Sequence, residues 1–151
     1  MADRRTPFYI SVLAPRLLKP MSRTNVWLYR VSGGRVAGRI GGHPLCLLTT
    51  TGRRSGEPRT GALLYVREGD EVLLVAAQGG LPTHPMWLLN LRAHPEVTVQ
   101  IGAQITRMLA REANREERER LWPRLTEHYR GWARYQSWTD REIPVVICTP
   151  I

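Results

Sequence analysis

Thr49-Thr50-Thr51-Gly52-Arg53-Arg54-Ser55-Gly56-Glu57-Pro58-Arg59 stands between two runs rich in leucine, valine and threonine, residues 45–51 and 60–66. Branched and apolar residues on both sides of a cluster of glycine, serine and proline read as two strands joined by a turn. A third strand, 71–77, follows across 67–70, a hairpin turn containing Gly69. Residues 97–101 and 105–110 make a second hairpin around Gly102, and 143–148 form a final apolar strand. Hairpins rather than long crossovers join most of these strands. The pattern therefore predicts a mainly β protein with flanking helices: a small barrel of six or more mostly antiparallel strands.

The helical signals lie outside these strands. Residues 86–93 are amphipathic, entered through Pro85 and ended before Pro95. Asn114 caps a longer helix, with Glu117 placed to complete a reciprocal capping box, and Pro123 predicts a bend in it. Residues 8–31 carry apolar side chains at helical spacing, interrupted at Pro15 and Pro20, which predicts one or two short helices. Five glycines between 33 and 42 then make a loop. The chain divides accordingly into an N-terminal helical segment, 1–32, and a barrel, 33–151, within one domain. With Arg16, Lys19, Arg23 and Arg30 beside its apolar residues, the N-terminal segment either packs on the barrel or lies against an anionic lipid surface.

At 151 residues with 42% apolar and 23% charged residues, the chain has room for one core, and its composition excludes collagen-like, coiled-coil and disordered architectures. No apolar run approaches the roughly 18 residues of a membrane span, and the start lacks a secretory cleavage pattern. A cytoplasmic location follows, with the inner face of the membrane as a peripheral site. Cys46 and Cys148 each sit in an apolar segment and read as buried thiols. The net charge of +9 is almost wholly arginine, since Lys19 is the only lysine. Arginine's planar fork suits phosphates and carboxylates, so an anionic partner fits, whereas solvated surface arginines account equally for net charge alone. The basic residues are scattered or gathered in one turn rather than along a helix face, which argues against nucleic acid.

Three stretches carry chemistry. Gly52 and Gly56 free the backbone of the 49–59 turn to aim N–H groups inward, so that Arg53, Arg54 and Arg59 with the Ser55 hydroxyl read either as a phosphate cradle, without the spacing of a Walker loop, or as an exposed hairpin turn with solvated arginines. Ala76-Ala77-Gln78-Gly79-Gly80 ends a strand in small residues that let a flat ligand approach, and is followed by Met86-Trp87-Leu88-Leu89-Asn90, with Trp87 and Asn90 on one helical face. Tyr129, Trp132 and Tyr135 form an aromatic stripe, suited either to the core or to a flat apolar substrate. No Gly-x-Ser-x-Gly or His-Glu-x-x-His motif is present, and the four histidines lack metal-ligand spacing, so hydrolysis and metal catalysis are disfavoured.

Together with Tyr135-Gln136-Ser137-Trp138-Thr139-Asp140-Arg141-x-Ile143-Pro144, these motifs resemble the deazaflavin (F420)-dependent nitroreductases, or F420H2-dependent quinone reductases, of actinobacteria, over residues 21–150. The resemblance implies a split β-barrel of the flavin-reductase and FMN-binding type. It further implies hydride transfer from reduced coenzyme F420 to an electron-poor acceptor: a quinone, enone or nitroaromatic. Arg53, Arg54, Ser55 and Arg59 would hold the phosphate. Thr60, Gly61, Ala62, Leu63 and Leu64, with Val75, Ala76, Ala77 and Gln78, would flank the ring, and Met86, Trp87, Leu88, Leu89 and Asn90 would close its other side. Tyr129, Trp132 and Tyr135 would line the acceptor side as the catalytic set. Ala77-Gln78 stands where relatives often carry Ser-Lys, Leu64 where they carry tyrosine, and Trp132 replaces a tyrosine, so weak nitroaromatic reduction is expected. An FMN-dependent enzyme on the same barrel and a non-catalytic F420 carrier are the alternatives.

Overall fold

The computed structural model describes residues 23–151, so the expected helical segment is seen only from Arg23 and its earlier part lies outside the described residues. Residues 23–32 are helical (α1). Then follow β1 (Arg39–Ile40), β2 (His43–Thr51), β3 (Pro58–Leu64), β4 (Val66–Glu68), β5 (Glu71–Val75), a single 3-10 turn (Gln78–Gly80), α2 (Met86–Ala93), β6 (Glu96–Ile101), β7 (Gln104–Glu112), α3 (Arg115–His128), α4 (Gly131–Ser137) and β8 (Val145–Pro150).

The eight strands form one sheet in the order β1-β2-β6-β7-β8-β5-β4, with β3 on β2, and every pairing is antiparallel. The expected 60–66 strand is longer than predicted and changes partner at Tyr65. Before that residue it pairs with β2, Leu64 opposite Leu45, and after it with β5, Val66 opposite Leu73. The two ends of the sheet thus share one run of chain, and the sheet curls into a half-barrel of the split-barrel type with helices outside. Alternation continues through the partner change. Leu63 and Tyr65 pack inward, whereas Ala62, Leu64 and Val66 pack outward.

Period-two alternation also explains the two main cores. Cys46, Leu48, Val72, Leu74, Val97, Val99, Met108, Val146 and Cys148 fill the interior, which Leu88 and Leu91 of α2 enter. The outward residues Leu73, Val75, Val145 and Ile147 are covered by Leu121 and Leu125 of α3 and Trp132 of α4. Both cysteines are free and buried, as expected, and burial pushes each thiol up to about 12. A third cluster seats α1 through Val26 and Tyr29 on Leu45 and Leu47. The Tyr29 hydroxyl donates to the Leu45 carbonyl at 3.0 Å and accepts the Gly102 N–H at 2.8 Å, tying the helix to two parts of the sheet.

The capping box of α3 forms as read: Asn114 Oδ1 accepts the Glu117 N–H at 2.9 Å, and Glu117 accepts the Asn114 N–H at 3.0 Å. Arg111 grips the Glu117 carboxylate at 2.7 and 2.8 Å; that pair, with the Asn114 N–H, holds its pKa near 2. Several expected boundaries shift, the final strand running over Val145–Pro150 instead of 143–148. The loop 33–42 contains the short β1, and the 71–77 strand stops at Val75, because the carbonyls of Ala76 and Ala77 turn to a side chain instead of a neighbouring strand.

Candidate functional site

Packing and hydrogen bonding set the shape of the turn between β2 and β3. The Gly52 N–H donates to the Glu57 carbonyl at 2.8 Å, and the Gly56 N–H returns to the Gly52 carbonyl at 2.8 Å. Gly56 has φ +71°, a conformation open to glycine, and a Cβ on Gly52 would lie 2.6 Å from Ser55 Oγ. Asn90 of α2, only 4% exposed, fastens this turn from the side. Its Oδ1 accepts the Arg53 N–H at 3.1 Å and its Nδ2 donates to Thr50 Oγ1 at 3.2 Å.

Beneath the turn opens a cavity of about 520 Å³. Arg53, Arg54, Ser55 and Arg59 line its mouth, Gly61 and Leu63 one wall, and Met86, Trp87 and Asn90 the opposite wall. A Cβ on Gly61 would meet nothing within 4 Å, so the backbone is bare where the cavity meets it. Among the described residues, the guanidinium groups of Arg53, Arg54 and Arg59 have no carboxylate partner, whereas Arg92, Arg107, Arg111, Arg115, Arg118 and Arg124 each pair with a glutamate. Three uncompensated forks over a recess with a bare glycine wall and a tryptophan fit a flat ring bearing an anionic tail.

The remaining predicted residues lie elsewhere. Ala76 and Leu88 are wholly buried in the barrel interior. Thr60 reaches the cavity, but its hydroxyl bonds Thr49 Oγ1 at 2.8 Å and receives Arg30 at 2.9 Å. Ala62 and Leu64 face outward beneath α1, and Leu64, Val75 and Ala77 pack with the aromatic stripe. Gln78 sits in the 3-10 turn and Leu89 is half-buried on α2. The predicted set is therefore divided by β3 and β5, with the arginines and Trp87 at the cavity and Tyr129, Trp132 and Tyr135 on the outer side.

On that outer side Tyr129 follows α3 directly, and Trp132 and Tyr135 belong to α4. The Tyr129 and Tyr135 hydroxyls are 3.3 Å apart, and Tyr129 meets His43 and Trp132 edge to face at 5.3 Å each. Burial, reinforced by the hydrogen bond shared with Tyr129, pushes the Tyr135 phenol up to about 12. Trp132 is buried and carries no hydroxyl, leaving Tyr129 and Tyr135 as the polar groups of the stripe.

Several contributors escaped sequence reasoning. Gly131 makes room for the Tyr129 ring, which would lie 2.4 Å from a Cβ there. Gly80 admits α4 rather than a ligand, since its Cβ would fall 2.8 Å from the Tyr135 carbonyl oxygen. Gln136 accepts from the Ile143 N–H at 2.9 Å and donates to the Arg141 carbonyl at 2.8 Å. The glycines were visible as letters, but their neighbours in space were not.

The chain is similar over most of its length to known proteins. A family model described as F420H(2)-dependent quinone reductase matches residues 21–150. The F420H(2)-dependent quinone reductase Rv1261c of Mycobacterium tuberculosis is 40% identical over 126 residues, covering 81% of this chain and 85% of the relative. A solved F420-H2 dependent reductase (FDR-A) is 44% identical, with a TM-score of 0.65 over 70% of this chain and 93% of its own. A second solved chain, described as a domain-swapped dimer, is 34% identical, with a TM-score of 0.67 over 89% of this chain and 98% of its own. The chain belongs to the F420H(2)-dependent quinone reductase family.

Proposed function

We infer that this enzyme passes a hydride from reduced F420 to a quinone. The observation that carries the reading is the trio of unpaired arginines opening on the bare wall at Gly61. When bound, reduced F420 supplies the hydride from C5 of its deazaflavin ring. The protein's part is to bind, orient and exclude water. Arg53, Arg54 and Arg59 hold the phosphate with Ser55, and Asn90 keeps their turn in place. Trp87 and Met86 offer an apolar wall, and the backbone at Gly61 and Leu63 the facing one. Tyr135, with Tyr129 beside it, serves an acceptor that approaches from their side of β3 and β5: the Tyr135 phenol, whose pKa is raised, keeps its proton and donates a hydrogen bond to an oxygen that gains negative charge. F420 is the cofactor for which the family is named, and FMN gains no support from it.

Quinones rank above enones and nitroaromatics as acceptors in this reading, because Ala77, Leu64 and Trp132 bring no hydroxyl or ammonium donor for a nitro group. The division of the chain into a helical segment, 1–32, and a cofactor-binding barrel, 33–151, belongs to the same proposal. So does peripheral contact with anionic lipid. Trp27, Val31, Val36 and Ile40 are 62%, 63%, 51% and 60% exposed, and Arg23, Arg30, Arg35 and Arg39 are interleaved with them. Among the described residues, no helix is long and apolar enough to cross a membrane. Flotation with phosphatidylglycerol vesicles, and not with phosphatidylcholine vesicles, is the expected result; flotation with neither removes the lipid contact.

The decisive experiment mixes the chain with reduced F420 and panels of quinones, enones and nitroaromatics, and follows cofactor reoxidation. Rapid turnover with quinones and slow turnover with bulky nitroaromatics is expected. Binding without reoxidation would make the protein a carrier, and tighter binding of FMN would replace the cofactor. Arg54→Ala should weaken F420 binding by about 1.5–3 kcal/mol, the worth of a charge-assisted hydrogen bond.

A further inference from the structure

Arg141 is unusual among the arginines of this chain in what it binds. Its guanidinium donates to four main-chain contacts: through Nε to the Leu81 carbonyl at 2.9 Å, through both terminal nitrogens to the Ala76 carbonyl at 3.2 Å each, and to the Ala77 carbonyl at 2.7 Å. It also approaches His84 Nδ1 at 3.1 Å. Among the described residues no carboxylate pairs with it; its neighbour Glu142 goes to Arg118. A half-buried cation balanced by carbonyl dipoles alone holds those carbonyls in one arrangement, because any departure strips a charge of its partners.

The backbone so held is a tight left-handed turn, closed by the Gly80 N–H on the Ala77 carbonyl at 3.0 Å and the Leu81 N–H on the Gln78 carbonyl at 3.1 Å. Gln78, Gly79 and Gly80 follow one another with φ of +46°, +61° and +77°, the first of them a residue with a full side chain. This turn leads out of β5, past α4, to α2 with its cavity-facing Met86 and Trp87. It touches α4 at Gly80, against the Tyr135 main chain. Arg141 is in turn tied to α4, since Gln136 donates to its carbonyl at 2.8 Å while accepting from Arg118 at 3.1 Å and from the Ile143 N–H at 2.9 Å. The circuit runs from Tyr135 and Gln136 through Arg141 to Ala76 and Ala77 and back through Gly80.

We propose that Arg141 is a positioning residue, whose fork on Ala76, Ala77 and Leu81 sets the distance between the end of β5 and the Tyr129–Tyr135 pair. The proposal rests on the functional reading above for its kinetic consequence, though not for its structural one. The phosphate turn lies on β2 and β3 and meets the 76–81 turn only at a remove, through Asn90 in the middle of α2, so acceptor geometry should respond more than cofactor grip. Lysine gathers its three donors on one nitrogen and cannot reproduce a planar fork that serves Leu81 through Nε and Ala76 and Ala77 through the terminal nitrogens.

The test compares Arg141→Met and Arg141→Lys with the parent chain in three measurements. These are amide hydrogen exchange over residues 76–85, F420 affinity by fluorescence, and kcat and KM for menadione at saturating reduced F420. Both variants should exchange about tenfold faster over 76–85 with the barrel strands still protected. In each, kcat should fall by about ten- to a hundredfold from misplacement of the acceptor, with F420 affinity changed by less than about threefold. Guanidinium ion should partly restore kcat to Arg141→Ala. Should Arg141→Met fail to fold, Arg141→Lys decides. Parent-like exchange and kcat in Arg141→Lys would overturn the proposal, as would equal loss of protection throughout the barrel. If the parent chain itself does not oxidise reduced F420, the functional reading fails, and the local exchange result still judges the role of Arg141.

Discussion

The backbone N–H of Arg53 donates to Asn90 Oδ1 at 3.1 Å, so the turn bearing the arginines is held by a helix 37 residues further along the chain. The same amide satisfies the buried Thr50 hydroxyl. Replacing it by Asn90→Leu strands both partners, and the expected loss is about 1–3 kcal/mol of folding stability. Denaturant unfolding measures that loss, and a fluorescence titration should show F420 affinity falling alongside it. A variant of unchanged affinity would show that the turn keeps its shape without α2.

Gly61 separates binding from folding. Its Cβ position is empty and faces the cavity, and a valine suits a strand better than glycine does. Gly61→Val should leave the Tm unchanged or higher while lowering F420 affinity by about tenfold or more, through the clash of an added side chain with the ligand. Thermal melts and titrations on the same preparation check both halves. Undiminished affinity would place the ring elsewhere.

Gly131 answers a different question. A methyl group there would lie 2.4 Å from the Tyr129 ring, which must move and release the 3.3 Å contact with Tyr135. Gly131→Ala should cost about 1–3 kcal/mol, the usual penalty for overpacking. Its quinone turnover should fall more than its cofactor affinity, and steady-state kinetics with menadione would show whether the two separate.

The cysteines predict an alkaline limit. Burial raises both thiols to about 12 from an ordinary value of 9.0, so the folded state disfavours the thiolate. The associated stability is fully present below pH 9.0 and is lost as pH rises toward about 12. Unfolding free energies measured across this range should decline. At neutral pH a thiol reagent such as a disulfide dye should label neither Cys46 nor Cys148 until denaturant is added, and fast labelling of the native chain would contradict their burial.

Local chemistry made much of this protein legible in advance. The apolar run of β2 and the Asn114–Glu117 box are written in adjacent letters, and each forms as read; the turn at 49–59 also forms, but the N–H groups of Gly52, Arg53 and Gly56 bond within the protein instead of facing a ligand. That Arg53, Arg54 and Arg59 line one cavity was legible for the same reason, the three belonging to a single continuous stretch. What could not be read depends on distant neighbours. Tyr65 looks like any strand residue, yet it marks a change of partner between β2 and β5. Ala76 and Ala77 have the composition of a strand, but Arg141 takes their carbonyls. The predicted site residues on β3 fall on two faces because alternate residues of a strand must, and only the curl of the sheet decides which face meets the arginines. Gly80 and Gly131 carry no sequence signal that distinguishes a helix or a ring from a ligand as the thing they admit.

The uninterrupted alternation across Tyr65 constrains how this family can vary. A deletion or insertion of one residue between Pro58 and Leu64 would invert the facing of every side chain beyond it, expelling Tyr65 and drawing in Val66 in either case, and would put one seam of the sheet out of step with the other. That span should tolerate changes of letter and no change of length, so evolutionary tinkering with cavity width has to come through side-chain size there, and through lengthening only in the turns at either end.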